Sequence, residues 1–142
     1  MAMNSEDRSE LLFGGYDTSK FTGDIKWHNV VDKLFWSLHL QEIKWNGTTL
    51  DVCKDRRCLI TPDSGTSLIT APSWAIGTIN DALPYLENCP DDLGFGNLTF
   101  VIDGVEYDIP SHHFMERYYN VYETGDSVCT TSITELDILQ DG

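Results

Sequence analysis

The densest run of chemically useful side chains in the sequence is Cys58-Leu59-Ile60-Thr61-Pro62-Asp63-Ser64-Gly65-Thr66-Ser67-Leu68-Ile69-Thr70. An apolar run enters a tight Asp-Ser-Gly-Thr-Ser turn and a second apolar run leaves it. Gly65 permits a sharp turn with close backbone approach, and Ser64, Thr66 and Ser67 supply hydroxyls able to donate to an ionised carboxylate. Together they describe an aspartate held in one orientation with a depressed pKa. An isolated D-S-G would be read as an Asx-turn between strands, but the flanking pattern favours a chemical role for Asp63. Two other aspartates fail the same test: Asp17-Thr18-Ser19 has Ser where Gly is needed and no apolar strand leading in, and Asp126-Ser127-Val128 fares no better. Serine chemistry fits poorly, since no G-x-S-x-G occurs and no histidine lies near Ser64 or Ser67 in sequence. Gly94-Phe95-Gly96 lacks the third glycine of a dinucleotide loop and reads as an ordinary loop.

The four cysteines allow three pairings. Cys53 and Cys58 bracket Lys54-Asp55-Arg56-Arg57 between strand-like runs, which predicts that they face each other across a hairpin tip at disulfide distance. Cys89 and Cys129 then pair by default. Zinc is disfavoured because no C-x-x-C occurs and His112-His113 is remote from every cysteine in sequence; no metal or cofactor is expected. Asn46-Gly47-Thr48 and Asn97-Leu98-Thr99 are sequons, making Asn46 and Asn97 glycosylation candidates. With the disulfides they point to the secretory or endomembrane route, whether secreted, lysosomal, vacuolar or related.

The elements that must position these residues follow a period of two. Leu34, Trp36, Leu38 and Leu40 fall on one face of a predicted strand, with Phe35, Ser37 and His39 on the other. Asn46-Gly47 suits a two-residue hairpin turn, with Thr48 to Val52 returning. A second hairpin is predicted from Leu98–Ile102, Asp103-Gly104 and Val105–Ile109, with Pro110 ending it. A helix is predicted from near Pro72-Ser73, carrying Trp74, Ile76, Ile79 and Leu83 before Pro84, and a short turn from Ser111 to Arg117. The fold class is therefore mainly β with one or two short helices. Trp27, Trp36, Trp45, Trp74, Phe100 and Tyr107 read as core or sheet-face residues.

With 142 residues, 41% of them apolar, the chain suits one domain. Nine basic residues against 23 acidic ones give a net charge of −14, a field that repels phosphate backbones and anionic headgroups, so nucleic acid is not an expected partner. The same composition suits a compartment of low pH, where protonation relieves self-repulsion. No apolar run approaches the roughly 20 residues of a membrane span. Residues 1–10 lack the basic start and apolar stretch of a secretion signal and read as a flexible, cut or engineered N-terminal segment.

The sequence resembles the C-terminal lobe of the pepsin-like aspartic proteases, the group of pepsin, cathepsin D and the plasmepsins. The likeness runs from Leu12-Phe13-Gly14-Gly15-Tyr16-Asp17 through Phe21-Thr22-Gly23, Phe35-Trp36 and Asn46-Gly47 to Asp63-Ser64-Gly65-Thr66-Ser67-Leu68. It continues through Phe100-Val101-Ile102-Asp103-Gly104-Val105-Glu106-Tyr107 to Cys129, covering 11–142. The resemblance implies a lobe of the bilobal acid protease fold, with Asp63 as one of two catalytic aspartates. By it, Ser64 locks the paired loops of the two lobes, Gly65 and Thr66 bond substrate backbone, and Thr66 also steadies the Asp63 carboxylate. Asp17-Thr18-Ser19 becomes the lobe-entry turn, while residues soon after Thr70 and the His112-His113-Phe114-Met115 stretch approach the substrate groove.

The implied mechanism needs two facing carboxylates sharing one proton, since like charges about 3 Å apart cannot both ionise. One activates a water against the scissile carbonyl while the other donates to the carbonyl oxygen. This chain supplies Asp63 alone, so the expected partners are an N-terminal lobe carrying the second aspartate and a protein or peptide substrate. The apolar-apolar-Gly-Asp segment expected beneath the catalytic loop is also absent, the chain reaching Leu139-Gln140-Asp141-Gly142 where it would begin. The reading is an aspartic endopeptidase to which this chain gives one of two aspartates, inactive by itself. The alternatives are a homodimer pairing two Asp63 loops in the retroviral manner, and an inert half-enzyme or binding module.

Overall fold

The computed structural model describes residues 11–119 and 127–138. The expected N-terminal segment 1–10, Asp126 and the chain end at 139–142 lie outside the described residues. Among the described residues there are ten strands: β1 Leu38–Trp45, β2 Thr48–Leu50, β3 Cys58–Ile60, β4 Thr70–Ala71, β5 Leu86–Glu87, β6 Asn97–Ile102, β7 Val105–Pro110, β8 Met115–Tyr119, β9 Ser127–Thr131 and β10 Thr134–Glu135. One α-helix, α1 (Ser73–Ala82), follows β4, and single 3-10 turns occur at Thr18–Lys20 and Ser111–His113. The fold is mainly β, as the alternation requires.

The main sheet runs β2-β1-β6-β7, with β3 also on β1. Both predicted hairpin turns form, and each puts two residues at positive φ: Asn46 and Gly47 (47° and 79°), then Asp103 and Gly104 (50° and 75°). These are the residue types that tolerate that region, in the turn whose twist matches paired strands. The strand β1 carries a bulge between Leu40 and Glu42. The extra residue keeps Leu40 and Ile43 on one buried face although their spacing breaks strict alternation. Gln41, at the bulge, accepts from Gly104 N–H at 2.6 Å and so ties the second hairpin turn to β1.

The core joins Leu40 and Ile43 of β1, Leu98, Phe100 and Ile102 of β6, and Ala75, Ile79 and Leu83 on and just beyond α1. Phe114 and Cys129 close it from the three-stranded β5-β9-β8 sheet side. Ser111, fully buried, is satisfied three ways: its N–H donates to Gly96 O, and its hydroxyl accepts from Phe95 N–H and donates to Leu93 O, the last two at 2.7 Å. A buried hydroxyl so placed pins the 93–96 loop.

Four expectations need correction. The strand predicted from Leu34 begins at Leu38, and Leu34 and Trp36 are 84% and 77% exposed whereas Ser37 is 4% exposed. The reason is Asp32, whose Oδ1 accepts from the Leu34 and Phe35 N–H groups and bends residues 33–35 out of extended form. Trp27, 85% exposed, likewise is no core residue. Cys53 and Cys58 are bonded, as are Cys89 and Cys129, but the first pair does not sit at a hairpin tip. Instead β2 and β3 are two pieces of one return strand, both antiparallel to β1, and the disulfide closes the excursion between them. Finally, the turn at Ser111 ends at His113, and residues 115–119 are strand β8, held by its ladder to β9.

Candidate active site

The loop carrying Asp63 is fixed at both ends. On entry, β3 pairs with β1 from Leu38↔Ile60 to Leu40↔Cys58, and the buried Ser37 hydroxyl lies 2.9 Å from that of Thr61. On exit, β4 pairs in parallel with β10 in the register Thr70↔Thr134 and Ala71↔Glu135. Two further backbone bonds, Thr134 N–H to Ile69 O at 3.0 Å and Leu136 N–H to Ala71 O at 2.9 Å, extend that contact. Helix α1 starts immediately afterwards, where the Asp137 carboxylate accepts from Ser73 N–H at 2.8 Å. Residues near the C-terminal end of the described chain thus brace a loop some 70 positions earlier. Sequence inspection does not reveal Ser37, Asp137 or the β10 brace, since none of them leaves a local pattern.

Between these anchors residues 61–68 are exposed. The Thr66 hydroxyl donates to Asp63 Oδ2 at 2.6 Å, and Gly65 N–H donates to Oδ1 at 2.9 Å. A Cβ on Gly65 would stand 3.3 Å from that same Oδ1, so the close approach uses the missing side chain. The Thr66 hydroxyl first, and the Gly65 amide second, hold the Asp63 carboxyl below the usual carboxylate range, with desolvation acting in the opposite direction. Ser64 and Ser67 make no hydrogen bond to that carboxylate, so of the three hydroxyls expected to reach it one does. The arrangement is an oriented, ionised, water-accessible carboxylate, suited to activating a water or sharing a proton with a second acid.

The remaining candidates lie elsewhere. Asp17 caps the 3-10 turn Thr18–Lys20 by accepting from Ser19 N–H at 2.9 Å, and bonding to Ser19 lowers its pKa. His112 and His113 are exposed with their rings 4.2 Å apart, and His39 is exposed on β1. His28 bridges Asp103 Oδ2 through Nδ1 at 2.8 Å and the Tyr107 hydroxyl through Nε2 at 2.6 Å, fastening the segment before β1 to the second hairpin. The Asn46 side chain reaches the start of β6, its Oδ1 accepting from the backbone N–H of Asn97. Trp74 is half-exposed at the start of α1 and lies under the Arg56 guanidinium, 4.1 Å from the ring centre.

Comparison with known proteins gives the family. Residues 1–141 match the family model of the eukaryotic aspartyl proteases. Cathepsin E of Aquarana catesbeiana is 32% identical over 142 residues, covering 95% of this chain and 34% of its own length. Gastricsin of Cavia porcellus is 32% identical over 123 residues, with 80% and 31% covered, and pepsin-3 of Oryctolagus cuniculus 31% identical over 123 residues, with 81% and 31% covered. The chain belongs to the eukaryotic aspartyl protease family and has the fold of a pepsin-like lobe. It spans about a third of the length of the curated relatives it matches.

Proposed function

We propose that this chain is the C-terminal lobe of a two-lobed aspartic endopeptidase and contributes Asp63 as one of its two catalytic carboxylates. The observation that carries the reading is the Asp63 carboxylate, oriented by the Thr66 hydroxyl and the Gly65 amide in an open loop anchored at both ends. A lone carboxylate so exposed has the orientation for catalysis without the second acid that proton sharing demands. Large apolar side chains left in water, Leu34 and Trp36 beside Phe35, and Trp27 and Phe13, support a companion surface within the same enzyme.

In the assembled enzyme one aspartate of the pair takes a proton from the attacking water while the other donates to the carbonyl oxygen of the scissile peptide. The second carboxylate comes from the N-terminal lobe. Ser64 locks the two loops together, and Gly65 and Thr66 meet the substrate backbone. Family membership and the oxidised cysteine pairs support a secretory or endomembrane route. The test is peptide cleavage by the complete protein beside its Asp63→Asn variant. The amide keeps the shape of the side chain and removes its ionisation, so turnover should fall at least about a thousandfold with the fold intact. Near-normal cleavage by the variant would reduce Asp63 to a turn residue.

A further inference from the structure

The loop that carries Asp63 leaves through β4, and α1 starts two residues later at Ser73. The residue at the helix entrance is Pro72, which offers no side-chain acceptor to the free N–H groups of the first turn. The acceptor comes instead from 64 positions away, where Asp137 Oδ1 takes the Ser73 N–H at 2.8 Å. A carboxylate at this end of a helix is favoured twice, by the hydrogen bond and by the positive end of the helix dipole. Hydrogen bonding to Ser73 holds the Asp137 carboxyl below the usual carboxylate range.

The segment that brings Asp137 there is a thin strap. Its parallel ladder to β4 is two residues long, and Ile133 at its inner end is buried whereas residues 134–138 are exposed. Burial therefore anchors one end of the strap, and beyond it the ties to the loop's exit are the backbone bonds at Ile69 and Ala71 and then the Asp137 carboxylate. The entry to the loop is fastened by other means. There β3 is laddered to β1, and the Ser37 and Thr61 hydroxyls meet, groups that do not titrate in the acid range. One side of the Asp63 loop is thus closed by neutral groups and the other by an ionisable one.

We propose that Asp137 is a positioning residue for Asp63: by capping α1 it fixes β4 at the exit of the loop, and turnover depends on its remaining ionised. It acts through Ser73 and β4, not on the substrate. The charged groups on the elements packed around it are Glu135 on β10, Arg56 stacked over Trp74 beside Ser73, Asp81 at the far end of α1 and Asp63 in the loop itself. Protonation of Asp137 weakens the acceptor and withdraws its charge from the helix end, so the exit of the loop slackens while the entry stays closed. The sign follows from linkage: the brace is complete above the ordinary carboxylate pKa and is lost as pH falls through the lowered one. Part of the acid limb of activity then belongs to the strap and not to the catalytic pair. The inference rests on the catalytic role proposed for Asp63.

The test compares the complete protein with Asp137→Ala, which removes the acceptor, and Asp137→Asn, which can still accept from Ser73 N–H but does not titrate. In Asp137→Ala, kcat should fall about tenfold or more while KM changes less than about threefold, because the loop loses orientation and not substrate contacts. Hydrogen exchange, measured without substrate, should quicken at residues 65–71 and stay unchanged in the β6–β7 hairpin. Asp137→Asn should regain most of the turnover and hold it to lower pH than the parent does. Unchanged exchange at 65–71, or protection lost equally from β6 and β7, overturns the proposal and leaves the reading of Asp63 standing. An acid limb identical in the parent and Asp137→Asn overturns the dependence on ionisation, and this comparison decides even where the alanine variant does not fold. Near-normal cleavage by Asp63→Asn removes the catalytic reading itself and the positioning role with it.

Discussion

Of the groups that hold the Asp63 carboxylate, one hydroxyl contributes most. Thr66 donates the shorter of the two hydrogen bonds and is the first cause of the lowered pKa, with Gly65 N–H second. Thr66→Val keeps the branched shape and deletes the donor, so the Asp63 pKa should move up towards the usual value near 4. The sign for stability follows from linkage. A carboxyl whose folded pKa lies below its unfolded value contributes stability that is fully present above the unfolded pKa and is lost as pH falls through the folded one. The parent should therefore melt above Thr66→Val at pH 5 to 7, and the gap should shrink as pH drops below about 4. Thermal midpoints of the two proteins across that range measure it, and a gap independent of pH would show that the hydroxyl acts through packing rather than through the carboxylate. Asp137 obeys the same sign, since Ser73 N–H lowers its pKa.

At the scale of elements, what was legible in the sequence was whatever local spacing controls. The Asn46-Gly47 and Asp103-Gly104 turns, the β6–β7 ladder and α1 follow from residue types within a few positions of one another. Leu34 to Trp36 were misread because alternation reports an apolar face without saying what covers it, and Asp32 bends the backbone there. The Cys53–Cys58 excursion was misread as a hairpin because only pairing with β1 reveals β2 and β3 as one interrupted strand. The site's support by Ser37 and Asp137 was invisible because those contacts span 24 and 64 positions. Two predictions belong here. Gly96→Ala forces a side chain at φ 140° into the Asn46 amide; the backbone strain alone costs about 1–3 kcal/mol, and denaturant titration should show a loss at least that large. Removing Cys89–Cys129 opens a 40-residue separation against 5 for Cys53–Cys58, so chain entropy predicts losses of about 4 and about 2 kcal/mol respectively. Equal losses measured for Cys→Ala pairs would mean that native contacts rather than loop closure decide the difference.

For the whole molecule the decisive fact is that one carboxylate cannot both take a proton from water and give one to the carbonyl in a shared-proton scheme. The loop that carries Asp63 is anchored at both ends yet open to solvent, and the apolar side chains of Leu34, Phe35 and Trp36 are exposed in the described fold. Under the proposed function a second lobe would bring an aspartate to Asp63 and bury that apolar surface. The isolated chain should therefore hydrolyse no peptide at any acidic pH, while mixing or co-expression with its N-terminal lobe should restore cleavage and protect the exposed aromatics, readable as a blue shift of tryptophan emission. Assembly that protects the tryptophans but yields no cleavage would separate docking from catalysis and count against Asp63. The retroviral arrangement makes a different forecast for the chain alone. If two copies pair their Asp63 loops, purified chain cleaves peptide with a rate rising as the square of its concentration in the dilute regime, and its mass in solution doubles as activity appears. Activity that is linear in concentration and persists in Asp63→Asn would identify a contaminating protease.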